Sequence, residues 1–314
     1  LHNSRGYVYF IVLLREFGSY FDGYHTMMPR ILNSCFLVII AILCRRMAIS
    51  NFNISNRFGN YILIAIALFP VLLFNSVHVF RDTAVTFLLV IIFYLCINLR
   101  KGKTFNLVIM LIAINMLFSL RIEIAYLACY LLFFSILLQF YQKKVVVPMI
   151  FITTIIGLIA FGPIILSILE NWNQINLERT GQLGSKIYSL PIALGVIPRI
   201  TFLIFTPLPL LTSFYQFYTS ISAIMQVFAF PFLFGALLSE KINTPLKFNF
   251  LAIFLVVALS SASFRHVTMY LPFGIMLVFM HIYQKEKLFD SQYTLSLLGL
   301  GSCFVVGMVV AYLY

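Results

Sequence analysis

Long apolar runs bounded by charge or polar residues make up most of the chain. They cover 28–45, 60–77, 83–99, 105–120, 124–142, 145–169, 215–239, 248–263, 266–283 and 293–313. A bilayer core about 30 Å thick takes roughly 20 helical residues to cross. The pattern therefore predicts an all-α integral membrane protein with about ten transmembrane helices. A further apolar stretch, 188–210, is interrupted by Pro191, Pro198, Arg199, Pro207 and Pro209. Proline removes a backbone donor and breaks a helix interior, so this stretch reads as a re-entrant or interfacial segment within an outer loop at 170–214. The first 27 residues hold one short apolar run, Tyr7–Leu14, too short to cross. With no internal repeat and no low-complexity linker, residues 1–314 read as one polytopic membrane domain.

The cations set an orientation for those spans. One set of loops holds Arg45, Arg46 and Arg57; Arg100, Lys101 and Lys103; Lys143 and Lys144; Lys241 and Lys247; Lys285 and Lys287. These loops alternate with the others if 188–210 does not span, which places them in the cytoplasm and both termini outward. Eight of nine lysines then lie inside, whereas eight of twelve arginines lie outside: Arg5, Arg15, Arg30, Arg81, Arg121, Arg179, Arg199 and Arg265. Six of nine acids are outside as well: Glu16, Asp22, Asp82, Glu123, Glu170 and Glu178. Lysine alone satisfies the positive-inside bias, so arginine placed against it needs another reason. Its planar fork holds phosphate or carboxylate with two bonds at once, and the outer face reads as an anion-binding surface.

Composition sharpens the class. Hydrophobic residues are 62 % of the 314 and charged residues only 10 %, with mean hydropathy +1.03. A soluble domain carries about 25 % charge, so no water-soluble surface can be made here. The formal net charge of +12 follows from topology and does not point to nucleic acid. Cys35, Cys44, Cys96, Cys129 and Cys303 lie within apolar runs without CxxC spacing, which indicates neither a disulfide nor a zinc site.

Candidate chemistry gathers at the predicted outer ends. Arg81-Asp82 opens a span, with His78 one turn earlier; Asp82 is either a helix-start acid favoured by the dipole or a functional carboxylate. Arg121 and Glu123 sit between two spans with almost no loop, where charge is costly and marks functional candidates. The alternative is a mutual ion pair closing a tight hairpin, against which stands the rule that residues two apart on a helix do not face each other. Arg265-His266 joins two further spans, either as a site or as a snorkelling arginine. Arg199 stands in the proline-broken segment, where irregular backbone survives only beside protein or a watery cavity. Asp82, Glu123 and Asp22 are the carboxylates placed to act as a general base. Residues 181–184, Gly-Gln-Leu-Gly, lack the lysine and strand of a phosphate loop, and no metal cluster with ligand spacing appears.

Several short motifs resemble a known family. Gly6-Tyr7-Val8-Tyr9-Phe10 with Phe17-Gly18, then Arg30-Ile31-Leu32-Asn33, is similar to a stretch of large membrane glycosyltransferases and polysaccharide polymerases. Pro70 before Arg81-Asp82, Arg121 at a helix end, Pro198-Arg199 before Pro207–Pro209, and Arg265-His266 before Leu271-Pro272 follow in the same order. The family is the GT-C type, including oligosaccharide repeat-unit polymerases of bacterial surface-polysaccharide clusters. The resemblance implies a polyprenyl-phosphate-linked sugar donor, handled on the outer face of a bacterial inner membrane. Arg81, Arg121, Arg199, Arg265 and His266 would hold its phosphate, and a carboxylate would deprotonate the acceptor hydroxyl; a divalent cation is compatible with that chemistry. Partners implied are the polyprenyl-linked saccharide, membrane lipid and other polysaccharide-assembly proteins. Such enzymes begin with one more span and an acid-bearing outer loop, so either that region precedes residue 1 or Asp22 or Asp82 takes its place. Two other classes stay open: a flippase or transporter of lipid-linked sugars, and a non-catalytic membrane component of an assembly complex. Transporters tend to place charge near the midplane of repeated halves, whereas here it gathers at one surface.

Overall fold

The computed structural model describes residues 5–20, 27–78, 81–98, 103–140, 214–242, 244–260 and 264–284, with isolated positions between 145 and 200. Among these residues all regular structure is helical and there is no strand. In order come α1 (Arg5–Ser19), α2 (Met27–Ser50), α3 (Asn56–Leu68), α4 (Pro70–Val77), α5 (Arg81–Ile97), α6 (Lys103–Leu120) and α7 (Ile122–Phe140). After a stretch outside the described residues follow α8 (Phe214–Leu238), α9 (Thr244–Ser260), a 3-10 turn (Phe264–Met269) and α10 (Leu271–Gln284).

Two of these elements, α2 and the Phe217–Leu238 stretch of α8, are long and apolar enough to cross a bilayer, and α3 with α4 makes a third if taken as one bent span. The apolar parts of α6, α7, α9 and α10 are shorter. Apolar helices of this kind fit a membrane protein, although the described residues do not reach the expected ten spans. The spans expected at 145–169 and 293–313 fall almost wholly outside the described residues; of 188–210 only Arg199 and Ile200 are described, both helical. The short run near the start lies on the 15-residue α1, roughly 22 Å long by helical rise and too short to cross.

The run at 60–77 is not the single helix that its hydrophobicity suggests. It breaks at Phe69, and the two halves meet at a bend of 52°. Phe69 is extended (φ −63°, ψ 123°) because the ring of Pro70 disfavours a helical conformation in the residue before it. The break frees backbone groups that hydrocarbon cannot satisfy. A side chain from another helix supplies one partner: Val71 N–H donates to Ser222 Oγ of α8 at 2.8 Å, and that hydroxyl donates on to the Tyr218 carbonyl. The bend directs α4 toward the start of α5.

Helix α5 is central. Buried side chains occur on every face of it, from Asp82 and Thr83 to Leu95 and Cys96, as expected of a helix that is apolar all round. It packs against α2, α6, α7 and the 3-10 turn, with Phe36 of α2 stacked on Phe87 at 4.4 Å and Phe93 edge-on to Phe273 of α10 at 5.4 Å. The polar connections sort into two groups. Asn51 Nδ2 donates to Asn98 Oδ1 at 3.2 Å, Asn106 Nδ2 to the Asn98 carbonyl, and Gln284 Nε2 to the Lys241 carbonyl. These join the ends of α2, α5, α6, α8 and α10 next to the cations Arg57, Arg100, Lys101, Lys103, Lys241 and Lys285. The starts of α5 and α7 and the turn before α10 meet elsewhere.

Candidate active site

At that second meeting point, three connections that are far apart in sequence converge on Asp82. The first turn of α5 presents its carboxylate, fully buried, next to the break between α6 and α7 and the 3-10 turn before α10. Arg121 Nη1 lies 3.5 Å from Asp82 Oδ1, and His266 Nε2 lies 3.5 Å from the same oxygen. Arg121 Nε also donates to Glu123 Oε1 at 3.2 Å, and its Nη1 reaches Met269 Sδ at 3.7 Å. One guanidinium therefore joins two carboxylates, while the turn supplies an imidazole and a thioether.

The pairing of Arg121 with Glu123 corrects an expectation. Residues two apart do not face each other on a helix, but Arg121 is not helical; it is the single break between Leu120 and Ile122. Its N–H still bonds the Leu117 carbonyl at 2.7 Å, and its own carbonyl receives the Ile124 and Ala125 N–H groups that open α7. Free of helical geometry, the side chain turns toward Glu123. The mutual ion pair is present, and Arg121 adds Asp82 to it. Both carboxylates also lie in the first turn of a helix, where the dipole favours negative charge.

Around this cluster the packing is polar. Arg81 Nη1 donates to the Leu120 carbonyl at 3.4 Å, tying the start of α5 to the end of α6. Asn33 Nδ2 of α2 donates to the His78 carbonyl at 3.1 Å, and Thr86 Oγ1 to the Asp82 carbonyl at 2.7 Å. Tyr7 of α1 faces Asn33, with Asp82 and Arg81 within electrostatic range of its hydroxyl. Glu123 differs from Asp82 in access: its side chain is 19 % exposed against 1 %. Glu123 Oε2 has no hydrogen-bond partner among the described residues.

The structure thus unites Arg81, Asp82, Arg121, Glu123 and His266. Arg265 stands in the same turn by its backbone, its side chain falling outside the described residues, and Asp22 falls outside them too. Arg199 is buried, and its neighbour Ile200 lines a cavity of about 340 Å³ bounded by α3, α8, α9 and α10. Among the described residues no group of three His, Cys, Asp or Glu side chains is placed to hold a metal ion. Sequence reading passed over Met269, and Tyr270, whose hydroxyl donates to Gln226 Oε1 at 2.9 Å. A glutamine within the apolar run 215–239 is the signal that could have pointed to that pair. Comparison of the chain with family models, curated proteins and solved structures finds no match.

Proposed function

We propose that this chain is a membrane-embedded glycosyltransferase or polysaccharide polymerase, acting on a polyprenyl-phosphate-linked sugar at the end of the bundle where Asp82, Arg121, Glu123 and His266 meet. The observation that supports it most is one buried arginine shared by two carboxylates, Asp82 fully buried and Glu123 partly accessible. A charge cluster this deep is costly and marks a functional site by default in a membrane protein.

In this reading Glu123 is the base. Its Oε2 is buried without a partner among the described residues, a costly state that an acceptor hydroxyl donating to it would relieve. Glu123 takes the hydroxyl proton, the acceptor oxygen forms a bond to the sugar's anomeric carbon, and the bond from that carbon to the lipid phosphate breaks. The phosphate leaves with the bonding electron pair. Arg121, engaged by both carboxylates, is a positioning residue: it fixes the angle of Glu123, and Asp82 with His266 fixes Arg121. Holding the departing phosphate falls to Arg81 and Arg265, beside the cluster in sequence and by backbone. A planar guanidinium suits an oxyanion whose charge grows in the transition state.

The test uses purified protein in vesicles with a radiolabelled polyprenyl-phosphate sugar and an oligosaccharide acceptor. The reading predicts label in the acceptor and release of polyprenyl phosphate, both lost in Glu123→Gln. Movement of intact donor across the vesicle membrane with no transfer would replace this reading with a flippase.

A further inference from the structure

A second feature lies on the other side of the 3-10 turn. Met269 faces Arg121, while the next residue, Tyr270, lines the 340 Å³ cavity between α8, α9 and α10. That volume lies within the range of about 300–1,000 Å³ typical of ligand sites. Met225, Phe230, Phe234 and Leu251 line it and are also exposed, so among the described residues the cavity opens on the surface of the bundle.

Its polarity is uneven. At one end stands Gln226, about nine-tenths buried, whose Oε1 accepts from Tyr270 and whose Nε2 has no partner among the described residues. From there the lining runs along α8 to Leu237 and along α10 to Phe279, with apolar side chains only. Residues 226 to 237 of a helix span roughly 16 Å by rise. A buried amide donor left unpaired is costly, so an occupant carrying an acceptor at that end is favoured over plain hydrocarbon. A polyprenyl chain has no such acceptor along its length. An ester-linked acyl chain has one, at the end where its tail begins.

We propose that this cavity binds one ester-linked acyl chain of a membrane glycerophospholipid, its carbonyl accepting from Gln226 Nε2 and its tail lying between α8 and α10. The site goes beyond sugar transfer and does not depend on it. Bound there, the lipid braces Tyr270 and with it the turn that carries His266 and Met269 to the charged cluster.

The full chain is reconstituted in vesicles of dialkyl ether phosphatidylcholine, which lack acyl carbonyls. A trace of ester-linked phosphatidylglycerol with a photoactivatable group midway along one chain is added, and adducts are mapped by mass spectrometry. Adducts should concentrate on the Met225–Leu237 and Leu271–Phe279 peptides. Unlabelled ester phosphatidylglycerol should compete at least fivefold better than its ether analogue. Gln226→Leu should erase that preference while keeping the adducts, and Ala229→Phe should cut adduct yield at least fivefold by filling the cavity. Equal competition by ester and ether lipids in the unmodified chain overturns the proposal. So do adducts spread evenly over the exposed helices, or stronger competition by undecaprenyl phosphate than by the ester lipid.

Discussion

Arg121 and Asp82, 39 positions apart in sequence, face each other at 3.5 Å in a part of the bundle where neither side chain is more than 4 % exposed. The contact binds the first turn of α5 to the break between α6 and α7. Because Arg121 also holds Glu123, the position of the more accessible carboxylate depends on the more buried one. Stability and the proposed chemistry are therefore coupled at this guanidinium.

That coupling predicts an asymmetric mutational response. Arg121→Leu leaves two carboxylates without their cation and should destabilise the chain by about 3–5 kcal/mol, the usual cost of breaking a buried pair. Adding Asp82→Asn should recover a substantial part. Thermal unfolding in detergent, with the fraction of monodisperse protein, reads both. A double variant no more stable than Arg121→Leu means that Asp82 does not depend on Arg121.

Arg121→Lys asks a subtler question. Lysine keeps the charge, but one ammonium cannot reproduce the Nε and Nη1 contacts that reach Glu123 and Asp82 at once. The loss of one charge-assisted hydrogen bond, about 1.5–3 kcal/mol, corresponds to roughly ten- to a hundredfold in transfer rate. Arg45→Lys and Arg100→Lys, among the cations of the expected cytoplasmic side, should be close to silent. Transfer by all three variants at the unmodified rate would show that the fork geometry is not used.

The bend in the third run has its own test. Ser222 Oγ accepts the Val71 N–H freed by the break at Pro70. Ser222→Ala removes that acceptor, should cost about 1–3 kcal/mol, and should speed hydrogen exchange at the Val71 amide. An unchanged exchange rate there would mean that another group satisfies the amide.

Much of this arrangement could be read in the sequence. The apolar runs gave helices at 83–99, 105–120, 124–142 and 215–239 with ends close to those observed, and one at 28–45 that runs on to Ser50, because a stretch that long and apolar has few alternatives to a helix. The connections at 79–82, 121–123 and 264–266 were expected at one surface, and residues from all three meet. What hydrophobicity could not supply was local backbone. It missed the break at Phe69, which depends on one proline, and the non-helical Arg121, which overturned the spacing rule applied to Glu123. Roles shifted as well. Arg121 was read as a phosphate ligand, and its nearest partners are carboxylates. Pairing across helices, as between Tyr270 and Gln226, leaves no periodic trace in one sequence.

Orientation underlies the outer-face reading. Single cysteines at positions 56 and 102 should be shielded from impermeant thiol reagents in intact cells, while those at 175 and 183 should react. Ready labelling at 56 or 102 with none at 183 would place the Asp82 cluster on the cytoplasmic side.

The most direct measurement is surface polysaccharide in a deletion strain carrying Glu123→Gln, with membrane levels matched to the unmodified chain by blot. Glutamine keeps the size of the side chain and removes its ability to take a proton. A general base contributes about 10²–10⁴ in rate, so polysaccharide should fall at least about a hundredfold while the protein stays at its normal level. Polysaccharide restored to the unmodified level by Glu123→Gln would contradict the assignment of this cluster as a transferase site.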